Sequence, residues 1–174
     1  ENVVFVHVTL LPFLQASKEL KTKPTQASIR ELRSLGIQPD FLIARADLNI
    51  EDEHIRKISL FGDIPESHVI PMPTLDNIYK VPKHLDQYQL GKKICDKLKI
   101  ENFENDLNKW DHLESLLANT TTEAKIGIVG KYTALKDAYL SVIESIKIAS
   151  YHANKKPVIE WIESEDIETG KYNL

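Results

Sequence analysis

The chain has 174 residues, 42% hydrophobic and 28% charged, an ordinary globular composition with length enough for a real core. Its 22 Lys and Arg stand against 26 Asp and Glu, a net charge of −4, which disfavours a general nucleic-acid binder. A single cysteine, Cys95, excludes an intrachain disulfide scaffold, and no apolar run approaches the ~18 residues that span a bilayer, so a soluble cytoplasmic protein is expected.

The chain opens on Glu1-Asn2 and enters Val3-Val4-Phe5-Val6-His7-Val8-Thr9-Leu10 at once, a nearly continuous apolar run that predicts a buried strand. A buried parallel strand needs neighbours on both sides, and the other end stops in polar Glu168–Leu174. The expectation is a segment of a longer polypeptide, with a complete chain carrying an edge strand as the alternative. Gln15 to Lys23 reads as a polar loop. Pro24 suits the first turn of a helix capped by Thr22 or Lys23, with Ile29, Leu32 and Leu35 on its apolar side and Gly36 ending it. Phe41–Arg45 predicts a second buried strand, and Glu51–Leu60 a helix whose first turn carries Glu51, Asp52 and Glu53 where the dipole favours them. Val69-Ile70 suggests a short strand, residues 83–98 short helices, and residues 106–118 an amphipathic helix with Leu107, Trp110, Leu113, Leu116 and Leu117.

Asn119–Glu123 reads as a linker, after which the pattern restarts. Lys125–Gly130 predicts a strand. Asp137 to about His152 predicts a helix with Ala138, Val142, Ile146 and Ala149 at helical spacing, and Pro157–Ile162 a further strand. The fold class expected is therefore α/β with parallel strands, and the restart marks the opening of a second α/β domain.

The densest polar feature is Lys18-Glu19-Leu20-Lys21-Thr22-Lys23-Pro24-Thr25-Gln26. Lysines, hydroxyls and an amide run into a helix N-terminus, whose free N–H groups and partial positive charge suit a polyphosphate. The segment lacks the glycines of a P-loop, and a solvated basic loop satisfies the same residues. Arg45 and Asp47 fall at the carboxyl end of a predicted parallel strand, where open α/β sheets bind ligands, although a strand-end salt bridge is the alternative. Lys57 follows Arg56 on a helix with Phe61 one turn on, a pattern that a surface lysine and a core aromatic also satisfy. The six histidines include no H-x-x-x-H pair, so no metal site is assigned, and Cys95 on its helix reads as a packed thiol.

Several stretches resemble the CTP synthase family. These are Val6–Leu10, Lys21-Thr22-Lys23-Pro24-Thr25-Gln26, Glu31-Leu32-Arg33-Ser34-Leu35-Gly36-Ile37-Gln38-Pro39-Asp40, Ile78–Pro82, Val129–Tyr132 and Lys136–Val142. The resemblance runs in order through nearly the whole chain and is weakest over Glu101–Thr122. It implies the C-terminal part of a P-loop-like, parallel-sheet synthetase domain over residues 1–103 and an interdomain linker over 104–122. Residues 123–174 would be the first β-α-β of a class I glutamine amidotransferase domain. It further implies a ligase that phosphorylates the uracil O4 of UTP with ATP and displaces the phosphate with ammonia from glutamine.

By the same resemblance, Lys21, Thr22, Lys23, Pro24, Thr25, Gln26 and Lys57 bind UTP or the product CTP, and Phe61 faces the CTP base. Arg45 reaches the ATP phosphates, and Pro73, Thr74 and Leu75 occupy the loop at adenine, where the family commonly carries a charged residue and Asp-Val. Ala46 stands where a Ser is common. Lys131 and Tyr132 correspond to the domain junction and ammonia path. The family's P-loop, Mg²⁺-binding acidic residues and Cys-His-Glu triad match nothing here, so the 174 residues alone are expected to be inactive, with no catalytic or metal-binding residue among them. GTP as allosteric activator and a homotetramer with pyrimidine sites at subunit contacts are also implied. A non-catalytic pyrimidine-nucleotide sensing or assembly module is the alternative, without nucleic-acid or membrane partners.

Overall fold

The computed structural model describes residues 2–101 and 104–172. It is α/β with parallel sheets, and it divides into one compact unit ending at Leu107 and another beginning at Asn108. The boundary expected at residue 103 lies outside the described residues.

In the first unit, strands β1 (Val6–Leu10), β4 (Phe41–Ala46) and β5 (Val69–Pro73) form a parallel sheet in the order β1-β4-β5. Val8 pairs with Ile43, and Ile43 with Ile70. As the central strand, β4 is covered on both faces, which is why its apolar residues run on rather than alternate; Phe41, Leu42 and Ala44 are fully buried. On one face, Leu42, Ala44 and Ala46 pack with Ile29 of helix α1 (Lys23–Ser34) and Ile58 of helix α2 (Asp52–Gly62). On the other, Phe41 and Ile70 pack with Leu90, Leu85 and Ile94 of helices α3 (Val81–Gln87) and α4 (Leu90–Leu98). A short antiparallel hairpin, β2 (Phe13–Leu14) and β3 (Glu19–Leu20), joins β1 to α1.

Three local expectations need correction. The first strand is not buried: Val6, Val8 and Leu10 are 38%, 58% and 56% exposed. β1 pairs only with β4 in this sheet, and its polar residues are the ones turned to α1. His7 Nε2 lies 2.8 Å from Ser28 Oγ and Thr9 Oγ1 lies 3.0 Å from Thr25 Oγ1. Leu35 is 74% exposed rather than on the apolar face of α1, because the helix stops at Ser34 and the chain turns through Gly36 at φ +84°. Phe61 is 58% exposed, so it is not a core aromatic.

The second unit pairs β6 (Glu123–Gly130) with β7 (Lys156–Glu163) in parallel, from Glu123 opposite Lys156 to Gly130 opposite Glu163. Helices α5 (Asn108–Asn119), α6 (Leu140–His152) and α7 (Ser164–Glu168) complete it. Residues 104–122, expected as a linker, thus include the twelve-residue α5. The helix expected from Asp137 begins as a 3₁₀ turn, Lys136–Tyr139, and α6 shields Ile143, Ile146 and Ser150. Of the predicted stripe only Ile146 is shielded; Val142 is 47% exposed and Ala138 and Ala149 are exposed. No helix among the described residues is long and apolar enough to cross a membrane.

Candidate functional site

Beside the β2–β3 hairpin and the starts of α1 and α2 lies an open cavity of about 710 Å³. Four lysines line it: Lys18 and Lys21 from the hairpin, Lys23 from the first turn of α1, and Lys57 from α2. The hairpin can present its lysines because the chain reverses at Lys18, which adopts the left-handed conformation at φ 51°. Leu20 of β3 is buried in the core and anchors the segment just before Lys21. Pro24 sets φ for the first turn of α1 but carries no N–H, so one amide donor of that helix end is missing and the lysine charges do more of any anion binding.

The hexapeptide Lys21–Gln26 divides into two groups. Lys21, Thr22, Lys23 and Pro24 line the cavity. Thr25 is fully buried, its hydroxyl bonded to Thr9 and donating to the Leu10 carbonyl at 3.2 Å. Gln26 donates from Nε2 to Thr22 Oγ1 at 3.1 Å and so holds Thr22 in place. Lys57, from a distant part of the chain, joins the same cavity, whereas Phe61 does not line it.

Carboxylates accompany the lysines. Lys21 is ion-paired with Glu19, and Lys57 Nζ lies 2.5 Å from Glu53 Oε1. The hydrogen bond and charge of Lys21 hold the Glu19 carboxyl below the ordinary range, and those of Lys57 do the same for Glu53. Glu51 and His54 also line the cavity. Neither Lys18 nor Lys23 has an ion-pair partner among the described residues. The Glu53–Lys57 pair was legible as an i, i+4 spacing; that it borders the cavity was not.

A second cluster sits at the carboxyl ends of β4 and β5. Arg45 Nη2 lies 3.4 Å from Thr74 Oγ1, whose one hydroxyl hydrogen has two acceptors within reach, the Ala46 carbonyl and Asp47 Oδ1, each at 3.3 Å. Arg45 and Asp47 thus meet on the Thr74 hydroxyl. Pro73 ends β5 opposite Ala46, and Leu75 beyond it is half-buried. In the second unit, Lys131 and Tyr132 follow β6, with Tyr132 left-handed at φ 58° and 77% exposed. Glu163 Oε1 fixes this turn, accepting from the Thr133 N–H at 2.7 Å and from its hydroxyl at 2.6 Å; these bonds hold the Glu163 carboxyl below its ordinary range.

Comparison with known proteins identifies the family of the chain. A family model described as CTP synthase N-terminus matches residues 1–100. The CTP synthase of Symbiobacterium thermophilum is 45% identical over 170 residues, covering 98% of this chain and 31% of that protein. Those of Methanocaldococcus jannaschii (45% over 172 residues, 99% and 32%) and Pyrococcus furiosus (46% over 169 residues, 97% and 32%) are similar to the same extent. The chain therefore spans about a third of the length of these curated relatives. With the family model matching more than half of its residues, the chain belongs to the CTP synthase family.

Proposed function

We propose that the complete protein carrying this chain is a glutamine-dependent ligase that converts UTP to CTP. In this reading ATP phosphorylates the uracil O4, ammonia adds at C4, and inorganic phosphate leaves with the oxygen. The single observation that carries the proposal is the cavity where Lys21, Lys23 and Lys57 converge at the start of α1, in a chain of this family. Lysine supplies compact point charges, the form of charge that neutralises phosphate oxygens, and Thr22, held by Gln26, adds a hydroxyl beside them. Lys21–Pro24 and Lys57 hold the phosphates of UTP or CTP, with Thr25 and Gln26 supporting that wall from behind and Phe61 outside it.

Arg45, with Pro73, Thr74 and Leu75, forms the ATP side, at the strand ends where open α/β sheets take ligands. Residues 1–103 belong to the synthetase domain, 104–122 to the linker and 123–174 to the opening of the amidotransferase domain; the parallel β6–β7 pair with its connecting helix supports the last assignment. Lys131 and Tyr132 lie at the domain junction on the ammonia path. No group of three or more His, Cys, Asp or Glu side chains gathers as a metal site among the described residues. The 174 residues by themselves are inactive, and the complete protein is a cytoplasmic homotetramer activated by GTP.

The test is CTP formation by the full-length protein with UTP, ATP and Mg²⁺, using ammonia or glutamine as the nitrogen donor. Product with both is expected. Product with ammonia alone would remove the amidotransferase assignment. UTP binding without product from either donor would overturn the ligase reading in favour of a nucleotide-sensing module.

A further inference from the structure

The lysine cavity is less positive than its lysines suggest. Lys18, Lys21, Lys23 and Lys57 line it, but so do Glu19, Glu51 and Glu53; four positive charges less three negative leave +1, with His54 neutral. A nucleoside polyphosphate brings several negative charges to that wall. Two of the four lysines are already engaged, Lys21 by Glu19 and Lys57 by Glu53. An arrangement built only to bind phosphate tightly would leave its cations unpaired.

We infer that Glu19 and Glu53 are built-in counter-ions that occupy Lys21 and Lys57 in the empty site and must be displaced when nucleotide phosphates bind, so that they set the affinity of the cradle. The inference rests on the nucleotide reading of the cavity given above. The partners of both pairs are exposed, with side chains 35% and 52% accessible for Lys21 and Glu19 and 53% and 62% for Lys57 and Glu53. Pairs of this kind contribute little to folding, so their removal leaves the fold intact, and they open at small cost when a stronger anion arrives. Each carboxylate, held by its lysine below the ordinary glutamate range, is ionised throughout the neutral range and competes for that lysine. The two pairs come from different elements, β3 with the following residue and α2, so a ligand reaching across the cavity opens both.

The experiment measures UTP binding to the full-length protein by titration calorimetry, without ATP so that nothing turns over. Glu19→Gln and Glu53→Gln keep size and shape while removing charge. Each is expected to tighten UTP binding about two- to fivefold, and the double variant roughly tenfold, the scale of exposed ion pairs. The double variant should also lose affinity more steeply between low and high salt, because its uncovered lysines are screened by ions in place of carboxylates. Glu51→Gln, which removes a lining charge with no ion pair among the described residues, serves as the comparison and should change affinity less than either. Unchanged affinity in the paired variants would overturn the inference, leaving the pairs merely solvated. Weaker binding would overturn it too, by showing that the carboxylates position the lysines. Absence of UTP binding in the unsubstituted protein and all variants would overturn the nucleotide reading itself and this inference with it.

Discussion

Lys21 and Lys57 reach one cavity from a hairpin edge and a helix, and each arrives with its own carboxylate. Lys23, one turn-start further on, has no ion-pair partner among the described residues, so it meets a ligand with its full charge. Lys21→Ala with Lys23→Ala in the full-length protein should raise the UTP concentration for half-maximal rate by roughly tenfold or more, the scale of losing charge-assisted bonds. Inhibition by CTP should weaken in the same variant. Steady-state kinetics with both ligands checks this, and unchanged values would mean that the lysines are only solvated. The basic segment was legible from residue types and spacing alone. That Thr25 would turn inward to Thr9, and that Phe61 would stay outside the cavity, was not, because both depend on how helices α1 and α2 are rotated against the sheet.

At the scale of elements, helix and strand identity followed closely from local chemistry, while the choice of buried face did not. β1 turns His7 and Thr9 to α1, and Val6, Val8 and Leu10 are exposed in a chain that spans about a third of its relatives' length. Two hydroxyl-to-side-chain bonds satisfy the polar face, so burying it carries no unpaired group. In α6 the shielded face, Ile143, Ile146 and Ser150, is rotated from the apolar stripe expected from spacing, and residues 136–139 form a 3₁₀ turn before the helix proper starts at Leu140. That turn is packed tightly: Tyr139 donates from its hydroxyl to the Lys131 carbonyl at 2.7 Å and meets Trp161 edge-on at 5.4 Å. A Cβ on Gly130 would stand 2.5 Å from that hydroxyl oxygen. Gly130→Ala should therefore destabilise the second unit by about 1–3 kcal/mol, the usual cost of overpacking. Thermal unfolding followed by tryptophan fluorescence reads this directly, since Trp110 and Trp161 both lie in that unit. Tyr139→Phe in the same background should recover part of the loss.

Within the first unit, Asp40 gathers separate parts of the fold: it accepts from the Phe5 N–H at 2.8 Å and is ion-paired with Lys97 of α4. Burial raises its carboxyl, but the bonds from Lys97 and Phe5 and the Lys97 charge outweigh that and hold it below the ordinary 3.8. A depressed folded-state value means that the stabilisation is complete above 3.8 and is lost as pH falls through the lowered value. The difference in urea midpoint between the unsubstituted chain and Asp40→Asn, followed by far-UV circular dichroism, should be constant at neutral pH and close below that range. A difference that persists at the acid end would mean that the ion pair is not its source. Local chemistry by itself determined that this chain alternates strands and helices, restarts after a break, and carries a basic segment at a helix start, because turn residues, β-branched runs and helical spacing act over a few neighbours. Only the tertiary structure decided which faces are covered and which lysines share a cavity with which glutamates, because those contacts join residues far apart in the chain and depend on how whole elements pack.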